Sequence, residues 1–137
     1  MMKKLGFTCI LCFSLALLNA CGNATFNGGS TGNDTQFIME YSILNKSDYR
    51  NMPLKAGDII NTSIVSDSGS VSIKVENSVG EVIYSDEDIP TSDFEITIPQ
   101  DDTYKFTVTG DHAKGSVKFI VENSEQFMDT DQQMEDL

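Results

Sequence analysis

The sequence predicts an all-β protein: a single antiparallel β-sandwich of about seven short strands, of the jelly-roll or immunoglobulin-like kind. Between positions 36 and 123, apolar residues recur at every second position in short runs. Glycine, proline, asparagine, aspartate or serine follows each run within a few residues. No helical period lies between the runs, so the crossover helices that parallel strands require are missing.

The predicted strands follow one another with little chain between them. Because side chains alternate between the two faces of a strand, each run predicts a half-buried strand. In chain order, the alternating positions are Phe37, Met39, Tyr41 and Ile43; Ile60, Thr62 and Ile64; Val71, Ile73 and Val75; Val82 and Tyr84; Phe94, Ile96 and Ile98; Tyr104, Phe106 and Val108; and Val117, Phe119 and Val121. Residues 77–80 predict a hairpin turn, and residues 110–115 predict a longer hairpin loop before the last strand.

Residues 1–20 predict a signal peptide. A charged start precedes an apolar stretch at 5–18, which is too short to span a bilayer comfortably, and small residues follow it. Cys9 and Cys12 form a Cys-x-x-Cys spacing, but both lie in this segment, which is removed in an exported protein. They are therefore not expected to form a redox or metal site.

Leu18-Asn19-Ala20-Cys21 closes the signal peptide and resembles the lipobox of bacterial lipoproteins. The resemblance implies a diacylglycerol on the sulfur of Cys21, cleavage that leaves Cys21 as the first residue, and a lipid-anchored protein on the extracytoplasmic face of the cell membrane. Asn19 departs from the small or hydroxylated residue usual at that place in the family. The alternative is an ordinary signal peptide cut near Ala20, which leaves Cys21 as a free thiol.

Three segments are expected after the signal peptide. Residues 21–35 are expected to be the lipidated cysteine and a flexible spacer, because glycine, asparagine, threonine and serine cannot bury enough surface to fold. Residues 36–123 are expected to form the β-sandwich domain, without a disulfide. Residues 124–137 are expected to be an acidic disordered tail, with a docking peptide for a partner as the alternative.

The chain is strongly acidic, with 21 aspartate and glutamate residues against 9 lysine and arginine residues and a formal net charge of −12. Such a charge repels nucleic acid and anionic lipid headgroups. It argues against a nucleic-acid role and against a domain that lies flat on a membrane. Solubility alone is a sufficient alternative explanation for the acidity.

The sequence offers no recognisable catalytic motif. The only histidine, His112, follows Asp111 in the expected loop, and neighbouring side chains in a loop are expected to point in different directions. Neither a Gly-x-Ser-x-Gly elbow nor a His-Glu-x-x-His helix occurs. We therefore expect no enzymatic activity and no cofactor, with a hydrolase as the less favoured alternative.

Two acidic clusters raise the question of Ca²⁺, which takes many oxygen ligands and tolerates loop geometry. The candidate ligands are Asp86, Glu87, Asp88, Asp101 and Asp102. Their spacing does not match the loop of an EF-hand. A solvated edge or turn is the simpler interpretation, and no metal is expected.

Glycan binding is the sharper alternative, because exported sandwiches often bind sugars on exposed aromatic rings. The chain has no tryptophan, and three of its four tyrosines share the parity of core positions. Tyr49, beside Arg50, is left as the main aromatic residue expected at the surface, although packing at a strand edge would also explain it. Tyr49, Arg50 and His112 are therefore the candidate ligand-binding residues. An envelope glycan or a protein is the expected partner.

Residues 54–122 resemble small exported bacterial β-sandwich modules in the order of their strands and of the glycines at the turns. They are more weakly similar to pre-peptidase C-terminal domains, whose sandwich includes a Gly-Thr-Tyr strand; here Asp102 precedes Thr103 and Tyr104. The resemblance implies the fold and no catalytic residues. We expect a non-catalytic, membrane-anchored surface module that acts by binding or as a structural element, or alternatively a glycan- or Ca²⁺-binding accessory module of the envelope.

Overall fold

The structure, a computed structural model, describes residues 24–122. The expected signal peptide, the Cys21 anchor and the acidic tail at 124–137 lie outside the described residues. Within 24–122, no helix is long and apolar enough to cross a membrane.

Seven strands make up the described chain. They are β1 (Thr25–Asn33), β2 (Gln36–Asn45), β3 (Ser47–Leu54), β4 (Ile59–Glu76), β5 (Val82–Asp86), β6 (Ser92–Thr97) and β7 (Asp102–Glu122). Every strand pair is antiparallel. The strands run in the order β1-β2-β7-β4-β5, with β3 also paired to β7 and β6 also paired to β4. The predicted all-β antiparallel fold class is confirmed.

The long strands β4 and β7 belong to two layers. The second half of β4 and the first half of β7 join β3 and β5 in what we call the Tyr49 layer. The other halves of β4 and β7 join β1, β2 and β6 in what we call the Ile120 layer. Phe106 and Phe119 lie in opposite halves of β7, and a straight strand would hold them about 43 Å apart. Their ring centroids are 4.9 Å apart, so β7 folds back on itself and the layers pack face to face as a sandwich.

The bend between the two layers depends on unusual backbone geometry. The register of β4 against β7 shifts between Ser66 and Ser68 and again between Ser68 and Ser70. Gly69 has a φ of 68° and His112 a φ of 50°, both in the left-handed region. A Cβ at position 69 would also overlap the carbonyl oxygen of His112. Glycine therefore satisfies both the backbone conformation and the close approach of the two strands.

One apolar core lies between the layers. Tyr84 of the Tyr49 layer stacks on Phe94 of the Ile120 layer, with centroids 5.3 Å apart. The largest fully buried side chains are Phe37, Met39, Leu44, Met52, Ile60, Ile64, Val71, Ile73, Ile98, Tyr104, Phe106 and Phe119. Most of these occupy the alternating positions from which the strands were predicted, so the pattern of two identifies the inward face correctly.

The expectation of a flexible spacer does not hold for residues 25–33. These residues form β1, which is paired with β2 from Thr25 opposite Asn45 to Asn33 opposite Gln36. Most of its side chains are exposed, and only Phe26 packs against the core. Backbone pairing rather than an apolar pattern makes this strand, which explains why composition predicted a spacer.

Two further features differ from the sequence prediction. Strand β3 has no predicted counterpart, because Arg50 interrupts the inward positions that end in the buried Met52 and Leu54. The hairpin loop predicted at 110–115 lies inside β7, at the bend. Two predicted strands are likewise joined into β4. Turn-forming residues mark the bend correctly, but the ladder between β4 and β7 continues through it with register shifts.

Candidate functional site

The outward side chains of the Tyr49 layer form a flat polar surface, which we call the Tyr49 face. Antiparallel register places Tyr49, Thr107, Lys74 and Ser85 side by side across four strands. One neighbouring row consists of Ser47, Thr109 and Ser72, and the other of Asn51, Lys105 and Glu76. Residues in register on one face are neighbours in space, so these side chains form a single surface.

Tyr49 stands near the middle of this face and is 57% exposed. The Nζ atom of Lys105 lies over its ring, 4.4 Å from the centroid. A lysine at this distance attracts the aromatic face and contributes about 0.5–1 kcal/mol at an exposed site. The contact holds the tyrosine ring in place and leaves much of its surface open to a ligand.

Two open grooves flank Tyr49. The first has a volume of about 340 Å³, and its lining includes the hydroxyl-bearing residues Ser47, Ser72, Ser85, Thr107 and Thr109. The hydroxyls of Ser47 and Thr109 bond each other at 2.7 Å. The Oγ1 atom of Thr107, the cross-strand neighbour of Tyr49, is buried and has no hydrogen-bond partner among the described residues.

The second groove, of about 390 Å³, lies beyond Lys105 and is lined partly by the turn at 77–80. Asn51 and Thr103 line its floor from strands β3 and β7. Amide and hydroxyl groups both donate and accept hydrogen bonds. The two grooves therefore give the Tyr49 face one aromatic ring with neutral hydrogen-bonding groups on either side.

Asp102 holds the turn that walls the second groove. Its Oδ2 accepts hydrogen bonds from the hydroxyl and the amide of Ser78, at 3.0 and 3.3 Å. Its Oδ1 accepts a bond from the Thr103 amide at 2.7 Å. The bond from the Ser78 hydroxyl, followed by those from the backbone amides, lowers the pKa of Asp102 below its ordinary value. The carboxylate at this position therefore has a structural use.

The other acidic residues considered as Ca²⁺ ligands are also engaged locally. Asp101 accepts a hydrogen bond from the Ala56 amide at 2.8 Å, and Asp86 accepts one from the Glu87 amide at 2.9 Å. Asp88 lies just after them in the left-handed backbone region, with a φ of 50°. Within residues 24–122, no group of three or more histidine, cysteine, aspartate or glutamate side chains could hold a metal ion.

Arg50 does not join Tyr49 at the candidate site. The two residues are adjacent on β3, so their side chains leave opposite faces of the strand. The Arg50 guanidinium lies on the inner side, 5.9 Å from the centroid of the Phe37 ring, and its Nε atom is buried without a hydrogen-bond partner in the described chain. Among the candidate ligand-binding residues, only Tyr49 lies on the Tyr49 face.

His112 lies at the bend. Its Nδ1 atom is 2.6 Å from Oδ1 of Asp111, so the two side chains meet, contrary to the sequence expectation. The positive φ of His112 turns the chain and brings them together. Both side chains are about three-quarters exposed. This pair lacks the water-excluded setting in which an acid–histidine pair activates a nucleophile.

The opposite surface, which we call the Ile120 face, has different chemistry. In its regular strands Glu40, Asp93 and Glu95 face outward with Lys118, whose Nζ lies 4.0 Å from Glu40. Ile120 is 42% exposed there. A wider groove of about 590 Å³ opens near the bend on this side, but its one aromatic residue, Tyr41, is only 6% exposed. Groove volume alone therefore does not identify the better site.

Comparison with known proteins gives no family. No protein-family model matches the chain, and no curated protein is significantly similar to it. Among solved structures, the chain is similar to PliG of Aeromonas hydrophila, a periplasmic inhibitor of g-type lysozyme. The identity is 12%, the match covers 74% of this chain and 90% of that one, and the TM-score is 0.44.

Two other solved structures have similar values. One is TmCBM61 in complex with β-1,4-galactotriose, at 18% identity over 71% of this chain and 70% of that one, with a TM-score of 0.40. The other is the pre-peptidase C-terminal domain of a collagenase from Bacillus anthracis, at 14% identity over 72% and 89%, with a TM-score of 0.42. At these identities and TM-scores, none of the three assigns a function to this chain.

Sequence reasoning identified Tyr49 but not its surroundings. The grooves are formed by hydroxyl and lysine side chains at positions that alternate with the predicted core residues. The available signal was the outward set Thr103, Lys105, Thr107 and Thr109, which interleaves with the inward Tyr104, Phe106 and Val108. Its position beside Tyr49 depended on β3, which the sequence pattern did not predict.

Proposed function

We propose that the protein is a non-catalytic binding module, anchored to the extracytoplasmic face of the cell membrane through Cys21, that binds saccharide chains on the Tyr49 face. The observation that carries the saccharide proposal is the exposed Tyr49 ring between two grooves lined by hydrogen-bonding side chains. It rests on the chemistry of this face and on no neighbour's function.

A sugar ring matches this arrangement in two ways. One side of a pyranose presents C–H groups, which pack on an aromatic ring, and its rim presents hydroxyl groups, which need hydrogen-bond partners when they leave water. Tyr49 offers the ring. Asn51, Ser72, Ser85 and Thr109 offer donors and acceptors on both sides of it.

The chemistry of the described acids supports a module without catalytic activity. A general acid for glycoside hydrolysis needs a raised pKa, because it must hold a proton near neutral pH. The pKa of Asp102 is lowered instead, by its bonds to Ser78 and Thr103. The Asp111–His112 pair is exposed at the bend, away from the grooves.

The membrane anchor rests on the lipobox resemblance of residues 18–21. Because β1 begins at Thr25, only three residues separate Cys21 from the sheet. Four extended steps span at most about 14 Å, so the proposed anchor holds the sandwich close to the lipid. Each buried acyl methylene contributes about 0.8 kcal/mol, and two chains give stable attachment where one does not.

Affinity electrophoresis tests the saccharide proposal. The full chain is run in gels that contain a soluble β-glucan, a galactan or polygalacturonate, beside Tyr49→Ala, Tyr49→Phe and the control Ile120→Ala on the opposite face. We expect retardation in at least one gel, unchanged in Ile120→Ala and largely kept in Tyr49→Phe. Tyr49→Ala should weaken it at least tenfold, about 1.4 kcal/mol. Equal retardation of Tyr49→Ala and wild type would exclude this face as the site.

Intact mass and detergent partitioning test the anchor separately. Protein from its native membrane should carry a diacyl mass increment on a chain that begins at Cys21 and should enter the detergent phase. Both properties should disappear in Cys21→Ala. An unmodified, freely soluble wild-type chain would contradict the anchor and leave the saccharide proposal untouched.

A further inference from the structure

Four strands of the sandwich are paired on one side only among residues 24–122. Strand β1 pairs with β2, β3 pairs with β7, and both β5 and β6 pair with β4. An unpaired edge presents backbone N–H and C=O groups that can bond another strand. Proteins usually protect such edges with charged side chains, proline or bulges.

Three of these edges carry such protection. Strand β3 contains Asp48 and Pro53, and β6 contains Asp93 and Glu95. Strand β5 ends at Asp86 and is followed at once by two more acids. If any of these edges met its own copy, carboxylates would be brought together, and like charges across a strand pair are destabilising.

Strand β1 is different. Its nine residues include no charged side chain and no proline, and most of them are exposed. A bulge lies between Asn27 and Gly28, but the register is regular from Gly28 to Asn33. Six residues of uncharged strand therefore remain as a regular edge.

We propose that this edge of β1 docks β1 of a second copy of the chain, as an antiparallel pair that joins two sandwiches in one continuous sheet. A two-fold pairing brings the same patch of each copy together, so the patch must be compatible with itself. Of the described edges, β1 alone meets its copy without opposing carboxylates. This favours a second copy over a charged partner, which would find no opposite charge on the strand.

The position of β1 in the chain favours the same occupant. If Cys21 is the anchor, as the proposed function holds, β1 begins four positions after it in every copy. Neighbouring copies then present their β1 edges in the same thin zone above the lipid. Confinement of this kind raises the effective concentration and promotes pairing of weak edges.

Sedimentation equilibrium of the full chain in detergent, from about 1 µM to about 0.1 mM, spans the range in which a weak edge pair with a micromolar Kd would form. The variant is Gly29→Lys, because a Cβ at Gly29 has no other atom within 4 Å and a lysine protects an edge strand. The control is Val79→Lys, which adds the same charge at a turn residue that is 78% exposed. Circular dichroism verifies that both variants fold.

We expect a concentration-dependent dimer in wild type and Val79→Lys, with the dissociation constant raised at least tenfold in Gly29→Lys. A wild-type chain that stays monomeric over the whole range would overturn the proposal. So would a dimer that Gly29→Lys leaves unchanged, since another surface would then hold it. If the chain carries no lipid, the same measurement runs without detergent, so failure of the anchor and failure of the edge pairing are distinguishable.

Discussion

The Tyr49 face and the Ile120 face are built on the same two long strands and yet differ in chemistry. The Tyr49 face carries Lys74 and Lys105 with one glutamate, a central exposed ring and several hydroxyls. The Ile120 face carries three outward acids and one lysine in its regular strands. Inward positions of both layers are fixed by one shared core. The outward positions are free of that constraint, so differences between the faces are informative about function.

Truncation of the shared core should have the largest effect, because it tests whether the two faces belong to one folding unit. Phe106 of the Tyr49 layer contacts Phe119 of the Ile120 layer at 4.9 Å and is fully buried. Phe106→Ala should lower the free energy of unfolding by about 3–5 kcal/mol. Urea denaturation followed by circular dichroism measures it. A loss below about 1 kcal/mol would mean that the layers are not packed as described.

The bend that sets the faces back to back should respond next. Gly69→Ala places a Cβ in a left-handed conformation and against the His112 carbonyl. Gly57 also has a positive φ, of 89°, but a Cβ there meets nothing within 4 Å. Gly57→Ala should therefore cost only the backbone strain, about 1–2 kcal/mol, and Gly69→Ala about twice that. Equal losses in urea denaturation would argue against the close approach at the bend.

Each layer also contains one buried tyrosine, and the two are satisfied differently. The Tyr104 hydroxyl donates to the carbonyl of Gln100 at 2.7 Å. The Tyr41 hydroxyl is buried without a partner among the described residues. Tyr104→Phe should destabilise by about 1 kcal/mol, whereas Tyr41→Phe should be neutral or slightly stabilising. Thermal unfolding of the pair measures the contrast, and the reverse order of melting temperatures would contradict it.

Alkaline pH should expose the same difference. Burial raises the pKa of Tyr41 to about 12. In the unfolded chain this phenol ionises near pH 10, so the unfolded state loses its proton first and stability falls as pH rises from about 10 toward 12. Tyr41→Phe should reduce that loss by about 2–3 kcal/mol at pH 12. Urea midpoints compared at pH 8 and pH 11.5 test this, and parallel curves for wild type and variant would contradict it.

The inward half of this architecture could be predicted from the sequence, and much of the outward half could not. Apolar alternation at Tyr104, Phe106 and Val108 identifies a strand and its buried face because burial selects residue type at those positions. Strand β1 has almost no buried side chain, so composition alone misassigns it. The neighbours of Tyr49 follow from strand pairing, and Thr107 and Lys105 come beside it through contacts distant in sequence.

Acid should produce the smallest effect, confined to the turn that walls one groove of the Tyr49 face. Because the pKa of Asp102 is lowered by Ser78 and Thr103, its contribution to stability is present at neutral pH and is lost as pH falls below its ordinary value near 4. Asp102→Asn should lower the melting temperature slightly at pH 7, and the two proteins should converge in acid. A difference that persists unchanged at pH 2 would contradict this origin.

The central claim is that the Tyr49 face, and not the Ile120 face, is the binding surface. Saccharide affinity of Tyr49→Ala against Ile120→Ala tests it most directly, because each variant truncates one exposed side chain on one face and should change stability by less than about 0.5 kcal/mol. The account predicts at least tenfold weaker retardation by the bound polysaccharide for Tyr49→Ala and wild-type retardation for Ile120→Ala. Loss of retardation in Ile120→Ala, with Tyr49→Ala unaffected, would contradict it.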